Sequence, residues 1–129
     1  LSPDGWARRV KQTYDKWEAD RVVAEKNFGG AMVESVLRTA AGAADLPVRM
    51  VTASRGKIAR AEPIAALYEQ EKVSHVGEFK ALEDQLCAMT PGGYVGEGSP
   101  DRADALVWAL SELSGKKARP SLYEVMAVP

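Results

Sequence analysis

The chain has one cysteine, one histidine and almost no net charge, and each of these scarcities removes a class of function. Cys87 has no second cysteine among the 129 residues, so an intramolecular disulfide is excluded. The lack of clustered Cys and His side chains argues against a zinc site. Seventeen basic and eighteen acidic residues give a formal charge of -1. Contact with an acidic partner therefore requires a local basic patch.

Long apolar runs and nucleotide-binding motifs are also missing. No segment has the length of a membrane span or the pattern of a secretory signal, which favours a reducing cytoplasm and no membrane contact. The dipeptides Gly56-Lys57 and Gly115-Lys116 lack the upstream glycine and the following Ser or Thr of an ATPase phosphate-binding loop. The length suits a single domain with a real core.

The first half of the chain predicts an α/β fold. Ser2 as N-cap and Pro3 begin a helix over about 3–18, with an apolar stripe typical of a buried face rather than a base-stacking platform. A strand over 21–25, a helix over 31–41 and a strand over 48–51 follow, which predicts a parallel pair with a right-handed crossover. The stripe consists of Trp6, Val10, Tyr14 and Trp17.

The second half predicts mainly helices. One is expected over 61–72, with Pro63 tolerable only in its first turn, and a short edge strand is expected over 73–76. A helix from Phe79 to Met89 leads to a loop or hairpin over 94–99. The last helix begins with Ser99 as N-cap and Pro100 at its first position, and ends at Gly115. Residues 116–129 are expected to form a tail.

Two carboxylates stand where a fold could gather them around a cation. Glu25 ends the first predicted strand, and the carboxyl ends of strands in α/β sheets border ligand crevices. Asp101 lies in the first turn of the last helix, and Asp104 shares its face one turn later. Taken alone, Glu25 could be a solvated surface charge, and Asp101 could simply complement the helix dipole. Asp104 could equally be a metal ligand or a buried partner of a basic group.

Five segments of the chain form a recognisable pattern. Two of them carry the acidic residues: the run from Glu25 to Gly30 and the run from Ser99 to Leu110. Three others lie between these two: Gly56-Lys57 with Arg60, Ala61 and Pro63; His75-Val76-Gly77; and Leu82-Glu83-Asp84-Gln85. In order and spacing these segments resemble the nuclease domain of phage terminase large subunits, over almost the whole chain up to about residue 114.

The resemblance implies a ribonuclease-H-like fold and a metal-dependent endonuclease that cuts concatemeric viral DNA during packaging. It implies that Glu25 and Asp101 hold Mg²⁺ or Mn²⁺, with Asp104 as a further acidic group. Two such cations would clamp the attacking and leaving oxygens. It implies that Lys57 and Arg60 contact DNA phosphates, although ion pairing with neighbouring carboxylates explains them as well. Its implied partners are double-stranded DNA, a packaging ATPase domain, a portal and a small terminase subunit.

This sequence also departs from the pattern of that family. Many relatives carry two adjacent Asp residues where this chain has Pro100-Asp101. The family's first acidic ligand lies on a strand upstream of the helix at 3–18. We therefore interpret residues 1–115 as the C-terminal part of such a domain, without its first three strands and inactive alone. The strand at 21–25 would then offer an unpaired edge, which predicts a homo-oligomer.

A non-catalytic module that docks DNA or packaging proteins is the competing interpretation. It explains the same basic residues without requiring a complete set of metal ligands. His75, as the lone histidine, is interpreted as structural.

Overall fold

The computed structural model describes residues 2–26, 30–40 and 45–115. The chain divides into two compact units, Leu1–Ser54 and Arg55–Pro129. The loop residues Asn27 and Gly29 and the predicted tail at 116–129 lie outside the described residues. Within the described ranges, no helix is long and apolar enough to cross a membrane.

The first unit consists of helix α1 (Pro3–Lys16), strand β1 (Val22–Glu25), helix α2 (Gly30–Ala40) and strand β2 (Val48–Val51). The Ser2 hydroxyl accepts a hydrogen bond from the Gly5 N–H at 3.1 Å, which confirms the predicted N-cap. β1 and β2 are parallel, with Val22 opposite Val48 and Glu25 opposite Val51. The predicted βαβ unit is therefore present.

The apolar stripe of α1 is less buried than the sequence predicts. Trp6, Val10 and Tyr14 are half-buried, and Trp17 is 38% exposed because it follows the helix as its C-cap instead of continuing the helical face. The fully buried residue of this helix is Ala7, and α1 packs against α2.

The second unit contains helices α3 (Lys57–Glu69), α4 (Lys80–Cys87) and α5 (Asp101–Leu113). Strands β3 (Met89–Thr90) and β4 (Gly93–Tyr94) form an antiparallel hairpin between α4 and α5. This hairpin closes over Pro91-Gly92, and Gly93 has a φ of 126° that favours glycine. The buried core of the unit joins the three helices: Ile64, Leu82, Ala103, Leu106, Val107 and Leu110.

Helix α3 begins earlier than predicted. It starts at Lys57 instead of residue 61, so Pro63 lies inside the helix and not in its first turn. Pro63 cannot donate a hydrogen bond to the carbonyl of Ala59, which normally weakens a helix. Tertiary packing compensates, because the adjacent Ile64 is only 4% exposed and belongs to the core.

Three further expectations in the second unit are wrong. Residues 73–76 form no strand, because Val73 packs against the core and His75 makes side-chain hydrogen bonds to α3 and α4. Ser99 is not the N-cap of the last helix. Pro100 occupies that position, and α5 begins at Asp101. The predicted helix from Phe79 to Met89 is also shorter, since Met89 pairs in the hairpin.

Candidate functional site

The first turn of α5 presents two carboxylates with opposite environments. The Asp101 side chain is 82% exposed, whereas the Asp104 side chain is only 8% exposed. Among the described residues, Asp104 is the buried charged residue of the protein. A carboxylate removed from water needs a compensating charge or hydrogen bonds.

Arg60 of α3 supplies that compensation. Its Nη2 lies 2.6 Å from Asp104 Oδ1, and its Nη1 donates to the carbonyl oxygen of Arg55. The guanidinium carbon lies 4.9 Å from the centre of the Trp108 ring, a cation–π arrangement. The Arg60 side chain is 11% exposed. Asp104 is therefore a buried partner of a basic group, which is one of the two roles left open by the sequence.

Lys57, one turn before Arg60, reaches the same cluster from a more exposed position. Its Nζ lies 3.0 Å from Ser99 Oγ, 3.8 Å from Asp104 Oδ2 and 3.9 Å from Asp101 Oδ1. Its side chain is 39% exposed. Lys57 and Arg60 together balance the two negative charges, so this cluster carries no formal net charge.

Gln85 of α4 was not among the sequence-predicted site residues. Its Oε1 accepts a hydrogen bond from the Ala103 N–H at 3.1 Å. Pro100, the N-cap, has no polar side chain with which to satisfy this amide, so Gln85 performs the capping from another helix. Trp108 was also missed as a site residue. The family resemblance included Gln85 and Trp108, but gave neither of them a role.

Tyr68, His75 and Glu83 form a second polar group in this unit. Tyr68 Oη lies 2.7 Å from His75 Nε2, and His75 Nδ1 lies 2.7 Å from Glu83 Oε2. Burial raises the pKa of the Tyr68 hydroxyl above its usual value, and the negative charge of Glu83 raises it further. A raised pKa opposes formation of a tyrosinate nucleophile. This chain of hydrogen bonds instead ties the segment around His75 to α3 and α4, in agreement with a structural histidine.

Glu25 lies in the first unit, at the carboxyl end of β1 as predicted. It is half-buried and stands opposite Val51, and the following Lys26 N–H donates to the Val51 carbonyl at 2.6 Å. The remaining four predicted site residues, Lys57, Arg60, Asp101 and Asp104, come together in the second unit.

The donor set of the second unit does not by itself fit a two-cation site. Asp101 offers exposed carboxylate oxygens, which suit hard divalent cations. Asp104 is already neutralised by Arg60. No group of three or more Asp, Glu, His or Cys side chains is close enough to hold a metal ion within the described ranges. Metal binding by Glu25, Asp101 and Asp104 stays a prediction.

Residues 1–113 match the family model described as the terminase RNaseH-like domain. This confirms the resemblance noted in the sequence and its α/β, ribonuclease-H-like class. Neither the curated proteins nor the solved structures gave a match.

Proposed function

The chain belongs to the terminase RNaseH-like domain family, and from this premise we propose that it is a DNA endonuclease domain of a packaging terminase. Its reaction is hydrolysis of phosphodiester bonds in concatemeric double-stranded viral DNA. The observation that supports this role best is the exposed Asp101 carboxylate in the first turn of α5, held beside Lys57.

The proposed cofactor is Mg²⁺ or Mn²⁺, because carboxylate oxygens are preferred by hard cations. Glu25 and Asp101 are each proposed as ligands, since both side chains are accessible to solvent at least in part. Asp104 is the third acidic candidate, and Arg60 already neutralises its carboxylate.

Lys57 is the stronger of the two candidate phosphate contacts. Its ammonium group is partly exposed and its nearest carboxylate oxygens are 3.8 Å and 3.9 Å away, so a phosphate could attract it. The guanidinium of Arg60 is committed to Asp104, Arg55 and Trp108. Replacing Lys57 with Ala should weaken DNA binding and reduce its salt dependence by about one phosphate contact.

The proposal extends to partners and setting. DNA packaging implies a cytoplasmic site of action and contacts with an ATPase domain, a portal and a small terminase subunit. Self-association of this chain through β1 is also proposed, since among the described residues β1 pairs with β2 alone. Sedimentation at high protein concentration tests this, and a strictly monomeric species would contradict it.

The second candidate function is a non-catalytic docking module for DNA or packaging proteins. The charge-balanced cluster around Asp104 favours it, because paired charges serve structure without requiring chemistry. A docking module would bind DNA with Lys57 and would show no dependence of cleavage on Asp101.

Plasmid cleavage and DNA binding, both measured under Mn²⁺ titration, separate the two functions. We expect little or no nicking by this chain alone, because the donor set of the second unit does not by itself fit a two-cation site in the described residues. Any Mn²⁺-dependent nicking that does occur should be lost in Glu25→Ala and Asp101→Ala. Asp84→Ala is the matched control, since Asp84 is an exposed acidic residue paired with Lys80 on α4. Cleavage that survives both test substitutions would reject the ligand assignment, and DNA binding that requires Lys57 in a protein that binds no Mn²⁺ would favour the docking module.

A further inference from the structure

The first turn of α5 is held by side chains from both other helices of its unit. Gln85 of α4 accepts from the Ala103 N–H, and Ala103 is 0% exposed, so water cannot replace this acceptor. Arg60 of α3 pairs with Asp104 one residue later. Between them, α3 and α4 fix the segment that immediately follows Asp101.

The Arg60–Asp104 pair has the features of a buried structural ion pair. Both side chains are about nine-tenths buried, and the N···O distance is 2.6 Å. Arg60 covers the Trp108 ring on the same helix as Asp104. In the described part of the chain, Arg60 Nε and Trp108 Nε1 are buried and lack hydrogen-bond partners, so water does not reach either atom. A metal ion at Asp104 would have to compete with this guanidinium.

We propose that Arg60 and Asp104 are positioning residues for Asp101, and that Asp104 is not a metal ligand. The inference rests on the proposed function, because Asp101 is the group being positioned. It gives the two acids of one helical turn separate roles. Asp101 faces solvent for its ligand, whereas Asp104 anchors the turn to α3 through Arg60.

A double-mutant cycle in the full chain tests the pairing. We expect Arg60→Met and Asp104→Leu each to lower the folding equilibrium constant by roughly 100-fold or more, because each leaves a buried charge without its partner. The double variant should recover most of that loss, since an apolar pair removes both charges. Additive losses in the double variant would overturn the pairing.

The exposed pair Arg8–Asp4 is the matched control. It joins the same residue types at 2.7 Å near the start of α1, with side chains 64% and 50% exposed. Arg8→Met and Asp4→Leu should show little coupling, because water screens the interaction. Coupling there equal to that of Arg60 and Asp104 would overturn the claim that burial gives the inner pair its role.

Mn²⁺ binding, measured by electron paramagnetic resonance, tests the positioning. Asp101→Asn should abolish the binding, and the folded Arg60→Met/Asp104→Leu variant should weaken it about 10–100-fold, as loss of a supporting residue does. If the double variant binds no Mn²⁺, Asp104 is itself a ligand. If its Mn²⁺ affinity equals that of the wild type, the Arg60–Asp104 pair is merely structural. Either result overturns the inference. If the wild-type protein binds no Mn²⁺, both the proposed metal dependence and the positioning role are overturned. In that case the double-mutant cycle would still show whether Arg60 and Asp104 form an ion pair.

Discussion

Helices α1 and α5 begin in opposite ways, although each has an aspartate paired with an arginine near its start. Ser2 caps α1 from the adjacent sequence, and Asp4 pairs with Arg8 one turn later in solvent. At α5 the cap comes from Gln85 and the partner of Asp104 is Arg60, which are contributed by α4 and α3. The start of α1 is a local structure, and the start of α5 is a tertiary one.

This difference explains what the sequence could predict. The Ser-Pro pattern gives the start of α1 correctly, because the cap and the capped amide are three residues apart. The same pattern at Ser99-Pro100 fails, because Ser99 Oγ accepts from Lys57 instead of capping α5. The βαβ unit was predictable for the same reason as α1, since its strands and crossover helix follow local hydrophobic patterns.

The candidate site was predictable as a set of residues but not as a set of contacts. The family resemblance pointed to Asp101, Asp104, Lys57 and Arg60, and all four lie in one cluster. Their pairing depends on how α3 meets α5, which no local pattern encodes. Gln85 escaped prediction because a glutamine that caps another helix has no distinctive spacing.

The largest loss of stability is expected from a substitution in the hydrophobic core that packs around α5. Leu110→Ala should lower the free energy of unfolding by about 2–5 kcal/mol, because Leu110 is 4% exposed and packs with the other core residues. Urea denaturation followed by circular dichroism measures the change. Met32→Ala is the control, since Met32 is 66% exposed and should change stability by less than about 0.5 kcal/mol. Equal effects would refute the assignment of the core.

Gln85 variants test the tertiary cap of α5. Gln85→Leu should cost about 1–3 kcal/mol, because the buried Ala103 N–H loses its acceptor. Gln85→Glu keeps an acceptor oxygen and should preserve most of the stability. Amide hydrogen exchange at Ala103 provides the direct measurement: exchange should accelerate in Gln85→Leu and stay slow in Gln85→Glu. Unchanged protection in Gln85→Leu would show that the cap is dispensable.

The local cap of α1 should matter less. Ser2→Ala should cost about 1 kcal/mol, and Ser2→Asp should retain the cap because Asp also offers an acceptor oxygen. Chemical denaturation of the three proteins measures this. If Ser2→Ala loses more stability than Gln85→Leu, the local cap of α1 matters more than the tertiary cap of α5, which would contradict this account.

The smallest effect concerns the pKa of Tyr68 at alkaline pH. Since the folded-state pKa is raised above 10.0, the neutral hydroxyl contributes stability that is present below pH 10.0 and is lost as the pH rises through the folded-state value. Tyr68→Phe has no hydroxyl to ionise, so its free energy of unfolding should fall less than that of the wild type as the pH rises. Denaturation at a series of alkaline pH values compares the two proteins, and identical pH profiles would contradict the raised pKa.

The central claim is that Asp101 and Asp104, although they share one helical turn, serve different purposes. A crystal of the protein grown with Mn²⁺ and examined by anomalous diffraction tests it most directly. The claim predicts an anomalous peak within coordination distance of Asp101, with Asp104 still paired to Arg60. A peak coordinated by Asp104, with Arg60 displaced from its carboxylate, would contradict it.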